Sequence, residues 1–251
     1  MFWINIICLV LYFILSLCLF FFLYYLKILP NKTSIRFSYN PIDFILDLLK
    51  ILSYDLQHYD PETFVDTGII IYEGPQGSGK TLSMVWDILR LEKKYDKVKV
   101  MDNFGLSDKQ IEHPDDLIDF QNENLGVITS IDEMGIWFNN RDFKHFAETG
   151  MLQIIFENRK VRRLLVGTTQ KFFLIDKNIR VQTSEVRSAY TLGGVLTFYV
   201  RKIPNVDADG NILGYRFKGI RFFVQSNELR DSYDTYKVIK KFKDKGFKVH
   251  E

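Results

Sequence analysis

Lys80 and Thr81 stand in succession behind Gly74-Pro75-Gln76-Gly77-Ser78-Gly79. This is the spacing G-x-x-x-x-G-K-[ST]. Its glycines let consecutive backbone N–H groups turn towards phosphate oxygens, its lysine reaches the β- and γ-phosphates, and its threonine hydroxyl ligates Mg²⁺. Gly74 to Thr81 are therefore the candidate nucleotide-binding residues, with Lys80 also catalytic and Thr81 also a metal ligand. A second pair, Asp132-Glu133, ends the run Gly126-Val127-Ile128-Thr129-Ser130-Ile131. An Asp at a strand end is placed to hold the Mg²⁺ shell, which makes Asp132 the second metal-site residue. The adjacent Glu133 is a base for water. A kinase must avoid hydrolysis, so this extra carboxylate points to ATP hydrolysis over phosphate transfer. The plainer reading of Asp-Glu at a strand end is a helix N-cap. Gln170, closing the run Arg162-Arg163-Leu164-Leu165-Val166-Gly167-Thr168-Thr169, is a third candidate, its amide sensing a γ-phosphate or orienting the attacking water.

These residues need a frame that brings them to one edge. The β-branched run Ile69-Ile70-Ile71 reads as a buried strand before the loop, and Lys80 to Tyr95 as a helix after it, with Leu82, Val85, Leu89 and Leu91 and no Pro or Gly. Val98-Met101 predicts a second strand, His113-Pro114-Asp115-Asp116 starts a short acidic helix, and Met151–Lys160 predicts another helix. Residues 186–192, 195–201 and 216–224 read as strands, with Asp207-Ala208-Asp209-Gly210-Asn211 as a turn. The predicted fold is α/β, a three-layer P-loop NTPase with a mostly parallel sheet and a C-terminal β-hairpin.

Residues 1–26 carry no charged side chain and are rich in Phe, Leu, Ile and Tyr. At about 1.5 Å per residue they reach roughly 39 Å, against a hydrocarbon core of about 30 Å, so a single transmembrane helix is expected. The start lacks the positive region, and the end the small-residue site, of a cleaved signal. Lys27, Lys32 and Arg36 follow the span, which places the N-terminus outside and the rest in the cytoplasm. Asn40-Pro41 opens a helix to about Tyr59 with Ile42, Ile45, Leu46, Leu49, Leu52 and Leu56 on one side. Its polar side carries acids, which favours packing on the domain over lying on the membrane surface. The expected divisions are a span over 1–26, a membrane-proximal linker and amphipathic helix over 27–62, the ATPase core over 63–192, and the hairpin with a lysine-rich helix over 193–251. The chain has 33 basic and 31 acidic residues, so its net charge favours no polyanionic partner. Cys8 and Cys18 both lie in the apolar segment, which excludes a disulfide-stapled or zinc-bound domain.

The order GPQGSGKT, VITSIDE, ENRKVRRLLVGTTQ, DKNIR resembles the zonula occludens toxin-like assembly ATPases of filamentous phages, within the FtsK/HerA group of DNA-pumping ATPases. The likeness covers about residues 67–180. In that family the membrane span commonly follows the ATPase domain, whereas here it precedes it. The resemblance implies a membrane-embedded ring-shaped homo-oligomer, in the host inner or plasma membrane, that uses ATP and Mg²⁺ to move phage DNA during virion assembly and extrusion alongside other phage assembly proteins. It also implies an arginine offered in trans to the phosphates, with Arg180 the first candidate and Arg159 and Arg163 behind it. A packaging ATPase filling a preformed capsid and a membrane-tethered kinase or switch that does not act on DNA stand as alternatives.

Overall fold

In the computed structural model the described residues are 12–18, 40–58, 60, 62–111, 116–137 and 158–233. The chain forms two units, Met1–Pro61 and Glu62–Glu251. In the first, residues 12–18 are helical (α1), and the remainder of the expected span lies outside the described residues. Among the described residues no helix is long and apolar enough to cross a membrane. The expected helix over 151–160 lies almost wholly outside the described residues, as does the lysine-rich tail from 234.

Helix α2, Pro41–Gln57, starts as its sequence requires: the Asn40 side chain accepts the Asp43 N–H at 2.8 Å and Pro41 fills the first position. Its faces are reversed from the expectation. Ile42, Phe44, Ile45, Ile51, Leu52 and Leu56 are exposed, while Asp47 and Ser53 are buried. Asp47 also pairs with Lys50 at 3.6 Å. Spacing marks the apolar side; it does not say which medium that side meets.

The second unit is built on seven strands in the order β2-β3-β4-β1-β5-β6-β7. They are β1 Gly68–Glu73, β2 Lys99–Asp102, β3 Val127–Ile131, β4 Arg163–Thr169, β5 Thr183–Leu192, β6 Leu196–Val206 and β7 Ile212–Val224. The first five are parallel; β6 and β7 return antiparallel as the expected hairpin, hydrogen-bonded directly to β5. Each apolar strand serves two cores because side chains alternate. Ile69 and Ile71 join Met101, Ile131, Leu165 and Val186 on one face, and Tyr72 joins Ile128, Leu164, Val166 and helix α3 on the other. At about 1.5–3 kcal/mol for each fully buried large apolar side chain, these two layers fix the sheet that carries the site.

Helix α3, Lys80–Lys94, follows the loop and buries Leu82, Val85, Ile88 and Leu91 at helical spacing. The short helices are α4 Asp116–Asp119, α5 Met134–Trp137, α6 Lys177–Gln182 and α7 Asn227–Asp231. Strand β4 lies between β1 and β3, so the loop after β1 and the carboxylates after β3 face each other across the end of β4.

Candidate nucleotide site

The loop leaves β1 at Gly74 and turns into α3 at Gly79, which caps the helix in a left-handed conformation (φ 85°) without a side-chain cap. A Cβ there would also stand 2.6 Å from Thr191 Oγ1, so both the backbone and β5 demand glycine. Pro75, Gln76 and Gly77 are exposed at the loop crest, whereas Ser78 and Lys80 are buried. Lys80 Nζ donates to the Pro75 carbonyl at 3.2 Å, holding the ammonium beneath the crest. The Ser78 Oγ is buried with no hydrogen-bond partner among the described residues. A buried hydroxyl without a partner costs about 1–3 kcal/mol, and an anion in the loop supplies one. Loop and helix start therefore fit a polyphosphate. The loop is also tied to β5 and through it to the hairpin: Thr191 Oγ1 donates to the Ser78 carbonyl at 3.1 Å and meets Thr197 Oγ1 at 3.0 Å, and Gln225 Nε2 donates to Thr197 at 2.7 Å.

Across β4, Asp132 meets this loop. Thr81 Oγ1 donates to Asp132 Oδ1 at 2.9 Å, so the two expected metal-site oxygens share one point in space. One or two protein oxygens, with substrate phosphates and water, are the usual protein share of a Mg²⁺ shell. Thr168 Oγ1 donates to the same carboxylate oxygen at 2.6 Å and accepts the Glu133 N–H at 2.9 Å. The register explains why: Thr168 is level with Tyr72 of β1, and Gly167 with Ile131 of β3, so the next residue up, Asp132, stands beside Thr168. Gly167 lets this turn close, since a Cβ there would lie 2.5 Å from Met134 Cε. From β2, Asn103 grips the Asp132 backbone, accepting its N–H at 2.7 Å and donating to its carbonyl at 3.1 Å.

Glu133 is half-buried, and its φ of 52° is one of three left-handed non-glycine conformations among the described residues. Burial pushes its carboxyl pKa up, the Asp132 charge adds to the rise, and Lys80 opposes it. A carboxylate raised in this way, beside a phosphate-binding loop, suits a base that takes a proton from water.

The remaining expected residues lie elsewhere. Gln170 follows β4 but is exposed, and Thr168 two residues earlier occupies the place beside Asp132. Arg180, at the end of α6, is not brought to the loop within the chain. Its Nε donates to the Gly210 carbonyl at 2.8 Å and its Nη1 to the Phe173 and Ile175 carbonyls at 2.7 Å each. Gly210 belongs to the β6–β7 turn, which the antiparallel registers place at the sheet edge opposite the loop. Arg163 begins β4 at that same far edge, buried, donating to the Phe120 carbonyl at 2.8 Å and held by burial at a pKa of about 10. Arg159 is exposed. The sequence reading does not single out Thr168 or Asn103. Polar side chains ending apolar runs, Met101-Asp102-Asn103 and Val166-Gly167-Thr168, are the signal that was there to read.

No protein-family model matches the sequence, and no curated protein matches it. Among solved structures, the N-terminal domain of zonular occludens toxin from Neisseria meningitidis is similar at 18% identity and a TM-score of 0.43, over 68% of this chain and all of that one. The genome-packaging NTPase B204 of Sulfolobus turreted icosahedral virus 2 with AMPPCP is similar at 15% identity and a TM-score of 0.37, over 51% of this chain and 78% of that one. The flagellar accessory protein FlaH from Methanocaldococcus jannaschii is similar at 10% identity and a TM-score of 0.35, over 60% of this chain and 89% of that one. At TM-scores below 0.5 such likenesses carry no argument about what this chain does.

Proposed function

We propose that the chain is a membrane-anchored ATPase that couples ATP hydrolysis to movement of phage DNA during virion assembly and extrusion. The observation that carries the ATPase part is the meeting of Thr81 with Asp132 at 2.9 Å, with Glu133 on the next residue and Lys80 beneath the loop crest. Backbone N–H groups of residues 76–81 bind the triphosphate, and Lys80 turns from the Pro75 carbonyl to the β/γ-phosphates. Thr81 and Asp132 would hold Mg²⁺, which when bound neutralises charge on the β- and γ-phosphate oxygens. Glu133 accepts the proton of the water that attacks the γ-phosphorus, and ADP leaves with inorganic phosphate as the other product.

The DNA, virion and membrane parts rest on the sequence: the motif order from Gly74 to Arg180 and the uncharged residues 1–26. The exposed apolar side of α2 supports attachment to a membrane, and Lys27, Lys32 and Arg36 after the uncharged stretch support an N-terminus outside and a site at the cytoplasmic face. A ring-forming oligomer is supported by the exposed row Leu192, Leu196 and Val224, paired across β5–β7 beside the loop, with Phe222 next to it. In such a ring a neighbour's arginine completes the site: Arg159 is exposed, whereas Arg180 would have to leave the three carbonyls it holds within its own chain. The test is turnover of Mg-ATP by the purified full chain, alone and with single- or double-stranded DNA. Hydrolysis that rises with either DNA supports the reading. Hydrolysis indifferent to both forms removes the DNA pump in favour of a switch, and no hydrolysis removes the ATPase.

A further inference from the structure

The turn carrying Asp132 and Glu133 is gripped from both neighbouring strands, and the grips differ in kind. Asn103, 2% exposed at the end of β2, holds both backbone groups of Asp132 with one amide. Thr168, fully buried at the end of β4, uses one hydroxyl twice, and its single hydrogen fixes the direction of both bonds. It accepts from the Glu133 amide and donates to the Asp132 carboxylate. Between these grips Glu133 sits at φ 52°, a conformation that costs a residue other than glycine about 1–2 kcal/mol. Such a backbone persists only where its surroundings over-determine it.

We propose that Asn103 and Thr168 are positioning residues that hold the Asp132–Glu133 turn in its left-handed form and thereby aim the Glu133 carboxylate at the attacking water. The inference rests on the reading of Glu133 as the hydrolytic base. Released from either grip, the turn relaxes towards negative φ and the Glu133 side chain leaves the loop. The nucleotide cradle, made by residues 74–81, is untouched. A role confined to satisfying buried amides would instead lower stability without regard to the side chain at position 133.

The test uses the full chain and four single variants, Asn103→Ala, Thr168→Val, Thr168→Ser and Glu133→Gln, with the double variant Asn103→Ala/Glu133→Gln. The readouts are kcat and KM for Mg-ATP, affinity for a fluorescent ATP analogue, and the thermal melt. Misplacing a reacting group costs about 10- to 100-fold in rate, and Asn103→Ala and Thr168→Val should each lower kcat by that factor, with affinity for the analogue measured without Mg²⁺ near the parent's because Asp132 also stands at the metal site. Thr168→Ser keeps the hydroxyl and should recover most of the rate, and the double variant should be no slower than Glu133→Gln alone. The proposal is overturned by parental kcat in Asn103→Ala and Thr168→Val, by Thr168→Ser as slow as Thr168→Val, or by a double variant well below Glu133→Gln. Should Asn103→Ala fail to fold, the Thr168 pair decides by itself. If Glu133→Gln turns over at the parental rate, the base assignment fails and the inference fails with it. That outcome is distinct from a dead Glu133→Gln beside a fully active Asn103→Ala.

Discussion

Two carboxylate clusters lie on the two sides of the loop-bearing strand, and they are treated in opposite ways. Under the hairpin, Asp87 of α3 accepts from the Tyr72 hydroxyl at 2.6 Å, from Arg187 at 2.7 Å, from Arg90 and Arg221 at 3.2 Å each, and from the Tyr199 hydroxyl. Glu185 of β5 accepts from Arg187, Arg201 and Lys218 at 2.6–2.9 Å. Burial works against the Glu185 carboxylate, yet the three cations hold its pKa at about 2; the Arg187 pKa is raised, since its anionic neighbours outweigh burial. At the loop edge, by contrast, Asp132 receives two hydroxyls, and the Glu133 carboxylate has no hydrogen bond or ion pair among the described residues. The larger perturbations therefore mark a strut that keys β5, β6 and β7 to the helix behind the loop. A perturbed pKa is a guide to function only where the group is left able to react. Glu133 meets that condition and Glu185 does not.

The largest expected effect separates strut from site. Arg187→Met leaves Asp87 and Glu185 without the cation they share, and removing one partner of a buried pair costs about 3–5 kcal/mol. Chemical denaturation should show this loss, while the fraction still folded binds nucleotide normally. A parental denaturation midpoint would mean that the cluster carries no stability and needs another explanation. A smaller effect has a defined pH window. The folded-state pKa of Glu185 is about 2 against an ordinary 4.5, so its contribution is complete above the ordinary value and is lost as pH falls towards the folded one. Linkage gives a loss of about 2 kcal/mol between about pH 5 and about pH 3. Glu185→Gln should be less stable at neutral pH and lose less stability across that interval. Parallel curves for the two proteins would show that Glu185 titrates alike folded and unfolded.

The same contrast explains how much could be read in advance. The loop, the Asp-Glu strand end, the parallel strands and the hairpin follow from residue type and short-range period, which a single sequence displays. Thr168 and Asn103 gain their roles from register, and register depends on β4 entering between β1 and β3. Gln170 has the more suggestive side chain for a phosphate sensor, yet it lies two residues past the level of Asp132. Glu185 and Arg187 alternate on β5 and so share a face, but their partners Arg201 and Lys218 come from β6 and β7. Arg180 has the sequence position of an arginine offered in trans, yet Gly210, thirty residues away in the chain, supplies one of its three carbonyls. The reversed faces of α2 are of the same kind: helical spacing marks an apolar side but does not show that Asp47 and Ser53 are the buried residues.

The smallest effect is a shift in a pH profile, and it sharpens the comparison because its sign is opposite. Burial, and then the Asp132 charge, raise the Glu133 pKa above the ordinary carboxylate value, with Lys80 opposing. A base must be deprotonated to act, so the acid limb of kcat/KM, which reports the free enzyme, should lie above the ordinary value of 4.5. A raised carboxyl pKa also means that protonation of Glu133 favours the folded chain, so this titration does not itself drive unfolding. The strut, with its carboxylate held at about 2, keeps most of its contribution until the medium is more acidic than the ordinary value. Between these two groups, the one that supports activity is protonated at higher pH than the one that supports the strut, so an interval is expected in which the strut holds and the chain is inactive. Because burial is the larger cause, added salt should move the limb little. The check is kcat/KM against pH alongside near-ultraviolet circular dichroism on the same samples. An acid limb at or below 4.5, or one that coincides with the loss of the dichroism signal, would remove Glu133 as the titrating base and leave the two clusters indistinguishable by pH.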